Sequence, residues 1–218
     1  MKTIQLSIIK EFRQHFSLFI LALFCLSLLL VRAKLTHSIY LFFLVWNLFL
    51  AYTPLAITSL MINRLNFIEK WYFYPAFMAW LLALPNAPYI ITDFIHLYKD
   101  NGVPVWFDIL LIASFTICGL LFGLASMKNM HCIITVKFSA KIATVAMAVS
   151  SLLSGFGIYL GRFLRYNSWD VLQKPVVLIT DVAHSLIAAE TYKPAWGITL
   201  GFGTLLFLLF RLYYDTEK

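Results

Sequence analysis

The chain has 218 residues, of which 61% are hydrophobic and 12% charged, and its mean hydropathy is +0.84. A soluble domain with a solvated surface does not reach that composition. The formal net charge of +7 brings nucleic acid to mind, but Lys and Arg cluster just outside the apolar runs and form no basic stripe interleaved with aromatics, which excludes it as a partner.

A bilayer core of about 30 Å takes roughly 20 mostly apolar helical residues, and six segments meet that test. The first, residues 16–31, follows a charged start in the manner of a signal peptide. It is succeeded by Arg32 and Lys34 rather than a small-x-small cleavage site, so an uncleaved helix is expected. The second, 38–61, contains Pro54, which should kink it and free a carbonyl for Asn47 or Thr58 to satisfy. The third, 70–84, stops short at the stretch "LPNAPYIITDFIHLY". Either the piece 90–97 or a re-entrant turn completes it. The fourth, 105–127, opens with Asp108 in "VWFDIL", read as a buried partner for Arg162 or a carboxylate ligand. The fifth and sixth cover 139–164 and 194–213. Cys25 and Cys118 fall inside spans, and with Cys132 they show no Cys-x-x-Cys spacing, so they read as small core residues. Trp71, Trp106 and Trp196 stand at span ends, where an indole suits the headgroup level.

The expected fold is therefore all-α: one integral membrane domain over residues 1–218, a polytopic helix bundle with its third span broken at Pro85 and Pro88. Gly119/Gly123, Gly157/Gly161 and Gly197/Gly201 form three Gly-x-x-x-Gly pairs suited to close helix packing, within the bundle first and in an oligomer second. Counting basic residues on alternate sides gives ten with the termini and seven opposite. The N- and C-termini are expected in the cytoplasm. Asp93, Asp100, Asp108, Asp170, Asp181 and Glu190 then share the outer face with Arg162.

Two polar stretches on that face nominate a site. In the first, Pro85 ends a half-helix and Asn86 stands as N-cap of the next, whose free N–H groups favour an anion. Tyr89 adds a hydroxyl, and Asp93 and His96, at i and i+3, share a face. A histidine beside a carboxylate is suited to acid–base catalysis. The second stretch, "GRFLRYNSWD", carries Arg162 and Arg165, able to grip phosphate or carboxylate, with Asn167, Ser168 and Asp170 beside them. Thr-Asp-x-x-His occurs both at Asp93/His96 and at Asp181/His184. If these four meet, they could bind a divalent transition metal such as zinc, manganese or iron. The alternative is a set of interfacial polar groups paired with the two arginines.

The segments "VWNLFLAYTPL", "LPNAPYIITDFIHL", "WFD" and "GIYLGRFLRYNSWD" resemble the membrane-protein family known as domain of unknown function 1361, over about residues 41–172. The resemblance implies a multi-pass protein of a bacterial plasma membrane and supplies no activity. It directs attention to Asn86, Pro88, Tyr89, Asp93, His96, Gly161, Arg162, Arg165, Asn167, Ser168 and Asp170, whereas Asp181 and His184 lie outside the recognised stretch. No G-x-S-x-G, H-E-x-x-H or P-loop specifies a reaction. Two kinds of function are expected: an outward polar site that binds or processes an anionic envelope molecule such as a lipid headgroup or lipid-linked precursor, or a small transporter or accessory subunit held to a membrane partner.

Overall fold

A computed structural model of the chain describes residues 2–62, 71–98, 102–166, 170–173, 175–187 and 192–216. Among them there is no strand, and six helical segments are long and apolar enough to cross a membrane. Large apolar side chains cover the outside, among them Phe19, Leu30, Trp46, Leu60, Val145 and Leu208. In water such a surface would aggregate; against lipid tails it is already solvated.

Helix α1 (Lys2–Thr36) turns Leu18, Cys25, Leu29 and Arg32 inward, a stripe at spacings of seven, four and three residues that keeps to one helix face. It ends at His37, whose φ of 49° breaks the right-handed path. A short 3-10 turn, Tyr40–Phe42, leads into α2 (Phe43–Ile62). Pro54 inside α2 cannot donate to Leu50, and the Thr53 hydroxyl fills that vacancy at 2.6 Å. The expected donors, Asn47 and Thr58, are used elsewhere: Thr58 bonds the carbonyls of Pro54 and Leu55.

The third span is continuous and does not re-enter. It runs through α3 (Phe73–Ala83), the single turn α4 (Asn86–Tyr89) and a 3-10 helix, Ile90–Tyr98. Leu84 and Pro85 keep right-handed helical dihedrals, so the prolines change the hydrogen-bonding pattern without reversing the chain. Asn86 is not the N-cap of a new helix. Its side-chain amide donates to the Ala83 carbonyl at 3.0 Å, while the Ala87 amide bonds Leu84 instead. No helix N-terminus opens here for an anion.

Helix α5 (Val105–Lys137) is the hub, in contact with α1, α2, α4 and α6 (Ala140–Arg162). Its 33 residues run past residue 127 to Lys137, because the polar side chains read as a loop find partners: Asn129 donates to Thr58 and His131 bonds Thr144. Ser139 then caps α6 by accepting from the Ile142 amide. The remaining helices are α7 (Asp170–Gln173), α8 (Pro175–Ile187) and α9 (Tyr192–Thr216), of which α9 lies along α6.

Glycines position the broken span. A Cβ on Gly119 would stand 2.6 Å from the Ile90 side chain, on Gly123 2.7 Å from Ala87, on Gly157 2.6 Å from Pro85 and on Gly161 3.1 Å from the Tyr89 ring. Two of the three Gly-x-x-x-Gly pairs thus hold the segment 85–90 between α5 and α6. The third pair, Gly197 and Gly201, meets nothing within 4 Å. The α6–α9 contact uses Gly155 and Gly203 instead, where a Cβ on Gly155 would meet the Thr199 carbonyl at 2.5 Å.

Candidate functional site

Nine residues of 3-10 helix are unusual, since its hydrogen bonds are poorly aligned. Side chains support it. Thr92 donates to the Tyr89 carbonyl at 2.7 Å, and Arg162 reaches across from the end of α6 to donate to the Thr92 carbonyl at 3.1 Å. With three residues per turn, Ile90, Asp93 and His96 stand in line on one face, turned toward the bundle. Asp93 is 1% exposed. Its carboxylate accepts from the Asn47 amide at 2.8 Å and lies 3.6 Å from an Arg162 nitrogen. His96 is engaged differently, through Nδ1 to the Tyr40 hydroxyl at 3.0 Å and against the Phe43 ring.

The two polar stretches therefore meet at Arg162, which also stands 3.5 Å from the Tyr89 hydroxyl and near that ring's face. Asp108 does not join them. It takes a bidentate hold on Arg32, at 2.6 and 3.1 Å, deep between α1 and α5. Sequence reasoning missed that partner because Arg32 at a span end reads as a flanking charge; a buried carboxylate in need of a cation was the available signal. Asn47, an amide within the apolar run "VWNLFL", was equally legible as a polar group inside a span in search of a partner.

Beside this brace is a cavity of about 720 Å³ bounded by α2, α3, α4, α6 and α8. Its walls are largely apolar, with Leu50, Leu82, Leu153 and Phe156 on them, while Asn47, Asn86, Tyr89, Arg165 and Tyr166 supply polar groups. Asp93, His96 and Arg162 are not on its surface. Arg165 is exposed and adopts a φ of 59°. This is the left-handed position of a helix C-terminus, closed by the Tyr166 amide on the Leu160 carbonyl at 3.1 Å, where glycine is the residue of lowest cost. Among the described residues Arg165 has no ion pair.

Tyr166 donates its hydroxyl to Asp181 of α8 at 2.6 Å, and Leu178 of the same helix lines the cavity. The hydrogen bond to Asp181, with the Asp170 charge also near, pushes the Tyr166 phenol above its ordinary pKa. Tyr166→Phe is expected to speed amide hydrogen exchange across residues 175–187 severalfold while leaving α5 unchanged; equal exchange in the two proteins would show that this bond does not hold α8. Asp181 is thus committed to Tyr166, and His184 is exposed on α8. Among the described residues no three His, Cys, Asp or Glu side chains group as a metal site would require. The quartet Asp93, His96, Asp181 and His184 forms no such group. Asn167 and Ser168 lie outside the described residues.

The family model described as protein of unknown function (DUF1361) matches residues 46–209. The chain belongs to that family. The DUF1361 match starts a few residues later than the resembling stretch but continues past residue 172, and it takes in Asp181 and His184 as well as the whole cavity wall. It begins at Trp46 and so leaves all of α1, Arg32 included, outside the shared region. No curated protein and no solved structure matches the chain.

Proposed function

We propose that this membrane protein binds an anionic amphiphile of the cell envelope, with the apolar part in the cavity and the acidic headgroup at Arg165. The observation that carries the reading is Arg165 itself: a cation at the rim of an apolar cavity, without a carboxylate partner among the described residues and in a backbone conformation that costs an L-residue about 1 kcal/mol. Strain retained at a cavity rim is typical of a functional position. Asn86 and Tyr89 add hydrogen-bonding groups to the same wall.

Arg162 and Asp93 support this site from behind. Each neutralises the other, and Arg162 fixes Tyr89 and Thr92 in place. Binding is therefore better supported than acid–base chemistry at Asp93 and His96, which stand off the cavity surface. The excess of basic residues on the side of the termini supports a headgroup end that faces away from the cytoplasm.

Arg165→Gly separates function from stability. It should relieve the left-handed strain and raise unfolding stability by up to about 1 kcal/mol, while weakening retention of an anionic phospholipid by about tenfold, the worth of one charge-assisted hydrogen bond. Retention is measured by native mass spectrometry in mild detergent, with a zwitterionic lipid as control. Unchanged retention of the anionic lipid would refute the assignment.

A further inference from the structure

A second groove continues from the cavity along α3 and α6. It holds about 510 Å³ between α3 and α6 and shares Leu81 and Leu153 with the first. Beyond those residues it is walled by Phe77 on α3 and by Val145 and Val149 on α6, and it ends at Lys141. From Ile142 to Gly161 the lining advances roughly 28 Å along α6 at 1.5 Å per residue. One leaflet of the hydrocarbon core is only about 15 Å deep. The track is thus nearly twice as long as an ordinary acyl chain needs. It is also open to the bilayer from the side, since Val145, Val149 and Leu153 are about half exposed.

The polar groups are unevenly placed along it. Arg165, Asn86, Tyr89 and Tyr166 gather at one end, while at the other the exposed Lys141 lies beside the apolar wall, its stem long enough to carry the ammonium to water. We propose that the joined grooves hold one anionic lipid of the polyprenyl phosphate class, its phosphate at Arg165 and its single chain running between α3 and α6 past the bilayer midplane. This rests on the headgroup reading given above and adds the identity of the chain. A row of side chains from each of two helices makes a track for one chain, and a chain confined to a single leaflet would leave the Val145–Phe77 half of it unused.

The test uses the full-length protein in detergent micelles and two probes with the same headgroup, a long polyprenyl monophosphate and farnesyl monophosphate. Binding is followed by native mass spectrometry. The long probe is expected to bind about tenfold or more tightly than the short one, because each additional buried methylene contributes. Val149→Trp, a change at a lipid-facing position that fills the groove midway, should bring the long probe down to the level of the short one and leave the short one unchanged. Equal affinities for the two probes, both weakened by Arg165→Gln, would leave the headgroup site standing and overturn the long-chain proposal. A long-probe advantage that survives Val149→Trp would overturn it too, since the chain would lie elsewhere. So would two phospholipids bound per protein, one in each half. If Arg165→Gln weakens neither probe, the headgroup reading falls and the proposal falls with it.

Discussion

Arg32→Ala is expected to be among the most damaging single substitutions in the chain. Arg32 is 1% exposed and meets Asp108 through two hydrogen bonds, at 2.6 and 3.1 Å. Removing it leaves a carboxylate buried between α1 and α5 without a counterion, at a cost of about 3–5 kcal/mol. Asp108→Ala should cost a similar amount for the converse reason, because Arg32 is too enclosed to reach water. Intact, the pair adds much less than this, since its mutual attraction is largely offset by the desolvation of both charges. The double variant Arg32→Met with Asp108→Leu is therefore expected to recover most of the loss and to unfold within about 1 kcal/mol of the native protein. Unfolding in mixed micelles, followed by far-ultraviolet circular dichroism, measures all four proteins. Single variants as stable as the native chain would show that water or a neighbouring group already satisfies each charge.

The second large effect is a difference in sign between glycines that look alike in the sequence. Gly155→Ala should destabilise by about 1–3 kcal/mol. Its Cβ would meet the Thr199 carbonyl at 2.5 Å and the Gly203 amide at 2.8 Å, both backbone atoms of α9 that cannot rotate aside. Gly203→Ala meets the same difficulty against the Leu152 Cα at 2.8 Å. Gly197→Ala and Gly201→Ala, with nothing within 4 Å, should instead stabilise by about 0.5–1 kcal/mol, the ordinary gain for alanine over glycine in a helix. The same unfolding assay decides it. Destabilisation by Gly197→Ala and Gly201→Ala, lost on dilution, would place that pair in a contact between copies of the chain.

Much of this molecule was legible without its structure. Six spans follow from run length and hydropathy, because a helix is the only open-chain element that satisfies its own backbone in lipid. The special character of 84–98 was visible in its two prolines and asparagine, and the affinity of that stretch for the end of the fifth span followed from topology counting.

What composition and spacing left undecided were choices among equivalent partners. Asp108 had several arginines within reach of its face, and only packing assigned it to Arg32 rather than Arg162. Arg162 and Arg165 are a turn apart with the same chemistry, yet one became a brace on Asp93 and the other the rim of a cavity. Gly-x-x-x-Gly marks a helix face that can be approached closely but not whether a neighbour lies there, which is why Gly197 and Gly201 were overestimated and Gly155 and Gly203 overlooked. Hydropathy and spacing are local quantities and determine which elements form. Pairing depends on the rotation of each helix about its axis, and that is settled only when all the helices pack together.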